Sequence, residues 1–427
     1  MQIEFVNHAS FVVQEGNIRL LIDPWLEGYA FYEGWAHVSR TKFTYEDFKD
    51  ITHIWFSHEH PDHFSPPVLS KIPMQYRKRI TVLYQETLDK KVVELCKKMG
   101  FGNVVELKPE WVALSDAISV YNKPHSDGDS WICIRTQDCT LLNLNDCVME
   151  NDRQVEHIKQ IAGKTDVLFT QFSYANWAGN KDDHATRKRI AEEKLQEILR
   201  QNRIVQPEYI VPFASFIWFC HRENFYLNDG AKKIDFIFDF IKQHTKATPV
   251  VMYPGDVWKA GSKGYNSIPA IERYIADWNA IMANPPLAET KIVAEDELTL
   301  NAKKFADDLL KFNSFFIQLL KPTRIYITDY AASYIFSLKT GLQKSEMAAD
   351  NCDIALSADA LNYCFKYLWG GGTLRVNGRY QLPPRGSFFN FKIYFQISQM
   401  NNFGERFNLV YIAKQVWKRI SRKLSGA

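Results

Sequence analysis

Ile51-Thr52-His53-Ile54-Trp55-Phe56-Ser57-His58-Glu59-His60-Pro61-Asp62-His63-Phe64 is the stretch that decides the fold. Its first half is a run of β-branched and aromatic residues without Gly or Pro, the pattern of a buried strand. Its second half sets His58, His60, Asp62 and His63 within six residues. In extended chain, side chains two apart share a face, so His58 and His60 can converge on one ion. Asp62 and His63 are adjacent beyond Pro61, diverge from each other, and are better placed to hold a second ion. Neutral imidazole and carboxylate suit Zn, Fe or Mn. A histidine-rich surface loop is the plainer reading, but burying several imidazoles and a carboxylate without an ion is costly.

Upstream, Ile3–Val6, Phe11–Gln14 and Ile18–Ile22 read as short strands, with Glu15-Gly16-Asn17 as a hairpin turn. His8, between the first two, either lines the site or is structural. Residues 27–50 hold many aromatics without a period, as expected of a loop at the mouth of a site. Downstream, strand and helix patterns alternate over residues 66–107, which is α/β. His125 follows the strand pattern Ile118–Tyr121. Asp146 ends a buried strand pattern, Leu141 to Leu144, and either joins the site or caps a helix over Val148–Ile161. Strand patterns also lead to His221 and to Pro254-Gly255-Asp256.

At 427 residues the chain has room for two or three domains. A net charge of +3 is too weak to mark a nucleic-acid binder, and none is expected. Seven cysteines, an odd count without a C-x-x-C pair, suggest reduced thiols and a cytoplasmic setting. No C-x-H pair is present, which excludes a Rieske iron–sulfur centre. No apolar run is long enough to span a bilayer, and no signal peptide is expected.

The strand ending in H-x-H-x-D-H resembles the metal motif of the metallo-β-lactamase superfamily. With Asn7-His8-Ala9-Ser10-Phe11, Leu21–Leu26, Asn143–Cys147, Val211–Ala214 and Pro254–Asp256, residues 1–260 resemble its lactonase and phospholipase-D-like branch. The likeness is greatest to the CMP-N-acetylneuraminate hydroxylase family. That resemblance implies an αββα sandwich over 1–265. It also implies that Asp23 supports the metal site, that His125 is a third histidine on the first ion, and that Asp146 bridges two divalent ions. The chain departs from the superfamily where a metal histidine usually ends the strand Pro249–Tyr253: Tyr253 stands there. Asp256 supplies the missing ligand, or His221 swings in, or the second site is weak.

The remaining residues, 266–427, read as an α+β domain. Helical patterns over Ser267–Ala283, Leu298–Leu320 and Ala358–Leu368 flank strand patterns. Gly370–Arg379 vaguely resembles sterol-carrier-like modules. Ile412–Leu424 is basic and amphipathic, suited either to contact with an anionic membrane or to a solvated terminal helix.

Two functions are therefore expected to compete. In one, the chain is a hydrolase of a small ester, lactone or phosphodiester. His58, His60 and His125 hold one ion; Asp62, His63 and Asp256 hold the other; Asp62 and His221 serve catalysis. In the other, the same ligands hold iron in an oxygenase acting on a nucleotide sugar or other small metabolite, with a separate redox partner in place of the absent Rieske domain.

Overall fold

The computed structural model describes residues 1–125, 128–411, 413 and 417. The basic stretch 412–424 thus lies outside the described residues, apart from Ala413 and Trp417. The chain divides into two units: residues 1–175, 184–220 and 228–286 form the first, and 176–183, 221–227 and 287–427 the second. Helix Ile268–Ala283 therefore belongs to the first unit, not to the C-terminal one, because Ala270, Ile271 and Tyr274 are part of the first core.

Two seven-stranded sheets build the first unit. One runs in the order Val257–Lys259, Gln2–Asn7, Ser10–Glu15, Ile18–Ile22, His53–Phe56, Thr81–Gln85, Asn103–Leu107. The other runs Thr248–Pro249, Tyr209–Phe213, Val167–Gln171, Thr140–Asn143, Ser130–Thr136, Ile118–Pro124, Trp111–Ser115. The strands of residues 53–56 and 167–171 are buried on nearly every residue, as expected of strands covered on both faces. Between the sheets, Phe11 stacks on Phe169 at 4.3 Å, and Phe213 meets both edge-on. Helices including Lys91–Lys98, Asp152–Ala162 and His184–Val205 present one apolar stripe each. This is the layered αββα arrangement expected from the sequence.

Strands Ile18–Ile22, His53–Phe56 and Thr81–Gln85 pair in parallel, as do Thr140–Asn143, Val167–Gln171 and Tyr209–Phe213. Each parallel set thus releases its carboxyl ends at one edge. Just past strand ends, His8, Asp23, Asn145 and Ala214 take positive φ of 43°, 40°, 52° and 51°. For residues with a Cβ this conformation costs on the order of 1–3 kcal/mol each and marks a place that the surroundings over-determine.

The second unit is α+β: a four-stranded sheet, Gly341–Ser345, Ala332–Ser337, Thr323–Ile327, Ile354–Leu356, packed with helices on an aromatic core. The long helix expected over 298–320 ends at Phe312 and resumes as a 3-10 turn at Phe315–Leu319. Asn313 breaks it, because its side chain donates to the Leu309 carbonyl and to Asn401. A helix, Gly370–Asn377, occupies the glycine run where a helix end was expected. A Cβ on Gly371 would lie 2.4 Å from that of Phe395, so only glycine lets that helix approach so closely. Among the described residues no helix is long and apolar enough to cross a membrane. All seven cysteines are buried and unbridged.

Candidate metal centre

The site is built on Asp23. Its Oδ1 accepts the Ser57 N–H at 2.8 Å, and its Oδ2 accepts the Ser57 hydroxyl and the Asn145 amide, both at 2.7 Å. One carboxylate thereby ties together three strand ends, at residues 23, 57 and 145. Having donated to Asp23, the Ser57 hydroxyl accepts the Nδ1–H of His58 at 2.9 Å. That leaves a lone pair on His58 Nε2, which faces His60 Nδ1 at 2.8 Å and Asp129 Oδ1 at 3.6 Å. Burial, with His63 and His60 nearby, keeps His58 neutral well below the usual imidazole range.

A second group lies beside the first. His63 Nδ1 is 3.0 Å from Asp23 Oδ2, and its Nε2 faces Asp62 Oδ2 at 3.2 Å and Asp146 Oδ2 at 3.4 Å. His8 Nε2 approaches the same Asp62 oxygen at 3.2 Å. Burial opposes a charge on His63, yet Asp62, Asp146 and Asp23 together raise its pKa well above normal. Burial likewise opposes a charge on Asp62, and His63 and His8 outweigh it, lowering that pKa.

Three sets of side chains place one ligand atom each within 4.8 Å of one another: His58, His60, Asp129; His8, Asp62, His63; and His58, His63, Asp146. The residues fit metal ions. Asp62 Oδ1 is buried and makes no hydrogen bond, and the carboxylates of Asp62 and Asp146 crowd around His63, an arrangement that costs free energy unless a cation sits among them.

Of the residues singled out from the sequence, His58, His60, Asp62, His63 and Asp146 come together. Asp146 does not cap the following helix, because Asn151 does so in a capping box with Gln154. His125 does not join any of these sets: its Nε2 is engaged by the Val148 carbonyl at 3.0 Å. Its N–H bonds the Asp129 carbonyl, and the Asp129 side chain is the one that reaches the cluster. Ser130 Oγ donates to the Ser57 carbonyl, and Gln85 donates to both the Ser57 and Gly128 carbonyls, which pins that loop to the metal strand. Asp256 is likewise engaged elsewhere and joins none of the sets. Its carboxylate is clamped by Arg273 Nη2 at 2.7 and 2.8 Å and accepts the Tyr253 N–H. His221 lies in the second unit and belongs to none of these sets; its Nδ1 accepts the Glu223 N–H, and burial and Arg379 lower its pKa. In place of Asp256 and His221, the structure offers His8.

An apolar wall surrounds the ligands. Trp25, fully buried, meets His8 edge-on at 5.7 Å and lies 3.8 Å from the His37 ring. Burial, with His8 nearby, lowers the His37 pKa to about 3. Phe31 covers His60 at 5.5 Å. Phe31 and His37 come from the 27–50 loop expected at the mouth of the site, and Trp25 just precedes it.

Residues 2–213 match the family described as a beta-lactamase superfamily domain, and with the two-sheet architecture this defines the first unit as a metallo-β-lactamase-fold domain. Among curated proteins, the chain is similar to the cytidine monophosphate-N-acetylneuraminic acid hydroxylase of Danio rerio, 23% identical over 253 residues, covering 54% of this chain and 41% of that one. The enzyme of the same name from Mus musculus is 24% identical over 255 residues, covering 55% and 42%. The chain thus spans less than half the length of these curated relatives. Among solved structures, similar ones include CmlA, a diiron β-hydroxylase from Streptomyces venezuelae (TM-score 0.45, 17% identity, 60% of this chain and 54% of that one). An isothiocyanate hydrolase from Delia radicum gut bacteria is also similar (TM-score 0.45, 14% identity, 61% and 99%).

Proposed function

We propose that the first unit is a dinuclear non-haem iron oxygenase that hydroxylates a small metabolite and draws electrons from a separate donor. The observation that carries this reading is the ligand balance. Each ion would receive two imidazoles and one terminal carboxylate: His58, His60 and Asp129 for one, His8, Asp62 and His63 for the other. Asp146 would be shared. Two histidines and a carboxylate with positions left open is the donor set of iron that activates dioxygen. When bound, such an ion pair supplies redox chemistry that no protein side chain here can. The hydroxylase names of the curated relatives support the same reading.

The chain's own residues do the rest. Asp23 and Ser57 fix the tautomers and ring orientations of His63 and His58, as outer partners of metal ligands generally do. Trp25, Phe31 and His37 keep bulk water from the ligands. A C-x-H pair is absent from these 427 residues, so on this reading the electrons come from a centre outside them.

The second reading is a hydrolase of an ester, lactone or phosphodiester. The unpartnered Oδ1 of Asp62 favours it, because a buried carboxylate oxygen can take the proton of an attacking water. Metal analysis of natively purified protein separates the two. About two irons per chain with substrate-dependent oxygen consumption supports the oxygenase. Zinc, with product formed without oxygen, establishes the hydrolase instead.

A further inference from the structure

His8 is aimed at the metal centre by its own backbone. Its φ of 43° is left-handed, a conformation that a histidine holds only where its surroundings impose it. Both of its backbone groups are held: the N–H donates to Asn7 Oδ1 at 2.9 Å, and the carbonyl accepts the Ala214 N–H at 3.0 Å. Asn7 and His8 are both buried. Asn7 is fixed in turn, since its Nδ2 donates to the Ser39 carbonyl at 2.8 Å and to the Thr41 hydroxyl at 2.9 Å. The direction of His8 Nε2, which lies 3.2 Å from Asp62 Oδ2, therefore depends on where residues 39–41 sit.

Regular structure does not settle that, because residues 38–44 belong to neither helix nor strand. Ser39 is placed by its side chain. Its hydroxyl donates to Asp277 Oδ2 at 2.5 Å, and the same oxygen accepts the Tyr253 hydroxyl at 2.6 Å. Hydrogen bonds to a carboxylate are short and stronger than those between neutral groups. Asp277 stands on the helix Ile268–Ala283, whose Ala270, Ile271 and Tyr274 are packed in the first core. A carboxylate on a rigid element thus holds Ser39, Ser39 holds Asn7, and Asn7 holds the backbone of His8.

We propose that Asp277 is a positioning residue for the metal ligand His8, acting through Ser39 and Asn7. The proposal rests on His8 being a ligand, as read above, and not on which metal or which reaction the centre serves. Cobalt(II) added to the chelated full chain tests it, with affinity measured by chelator competition and ligand geometry by the visible spectrum. Asp277→Ala is expected to weaken cobalt binding about tenfold and to change the spectrum, and Ser39→Ala to do the same. Asp277→Asn, which still offers an oxygen to both hydroxyls, recovers most of the affinity. In a His8→Ala background, Asp277→Ala adds nothing, because its effect passes through that ring; a general loss of structure would add in full. Melting curves of the metal-free proteins establish that the variants fold, and Ser39→Ala carries the test if Asp277→Ala does not. Parent-like affinity and spectrum in Asp277→Ala and Ser39→Ala, or additivity with His8→Ala, overturn the proposal. If His8→Ala weakens binding and the Asp277 and Ser39 variants do not, the proposal alone fails. If His8→Ala itself binds cobalt like the parent, the ligand reading fails and takes the proposal with it.

Discussion

The Nδ1 atom of His63 lies 3.0 Å from Oδ2 of Asp23, and this contact turns the opposite ring nitrogen toward Asp62 and Asp146. Asp23 belongs to none of the three ligand sets. Asp23→Asn keeps the size but weakens the hold on the ring and on Ser57, so metal affinity should fall about 10- to 100-fold. Competition with a chelator measures it. Unchanged affinity would mean that His63 is oriented by something else.

Asp129 and His125 make opposite claims on the first ion. Asp129→Ala should lose a substantial part of the bound metal, whereas His125→Ala should load like the parent protein, since its ring is committed to the Val148 carbonyl. Elemental analysis of the two purified variants decides the matter, and the reverse pattern would restore the assignment suggested by the superfamily resemblance.

His8 should behave as a ligand and Asp256 as a structural residue. His8→Ala is expected to lower metal content while leaving the melting curve of the chelated protein little changed. Asp256→Ala strands Arg273 and frees the Tyr253 N–H, so it should lower thermal stability with metal content intact.

His37 supplies a pH dependence whose sign is set by burial. Its pKa falls from an unfolded value near ~6.5 to about 3 in the fold. Between those values the unfolded chain binds a proton that the folded one rejects, so stability rises with pH across that window. The contribution is intact above ~6.5 and is lost progressively as pH falls toward 3. His37→Phe keeps a ring against Trp25 without a titrating group and should flatten this part of a melting-temperature profile. A profile that stays equally steep would assign the acid sensitivity elsewhere.

In the second unit, Arg379 is fully buried between Glu223 at 2.7 Å and Asp359 at 2.7 Å. Arg379→Ala breaks the buried pair with Asp359, a change that typically costs about 3–5 kcal/mol. Urea denaturation followed by tryptophan fluorescence should show a destabilised transition, with Asp359→Asn recovering part of the loss.

The H-x-H-x-D-H run was legible because its geometry is local. Two-residue spacing at a strand end sets directions before any tertiary contact forms. Asp146 was legible for a similar reason, as the first acid after a buried strand. Asp129 was not, because nothing in its own neighbourhood says that Ser130 and Gln85 will draw its loop to Ser57. His125, four residues earlier, stood in an equally good sequence position, and the difference is only which side chain turns inward. His8 carried an ambiguous signal that only the pairing of its strand resolves. Asp256 looked unclaimed because Arg273, seventeen residues on, is invisible to any local reading.

His8 and Asp146 also bracket the order in which the centre can be put together. A growing polypeptide releases the four histidines well before Asp129 and Asp146, and the strand that leads to Asp146, Thr140–Asn143, pairs first with Ser130–Thr136 and is enclosed on its other side only by the later Val167–Gln171. Non-local parallel pairing is intrinsically slow. Ion capture with the full carboxylate complement is thus a closing event of biosynthesis, and a nascent chain that meets a tightly binding cation earlier would hold it through imidazoles alone.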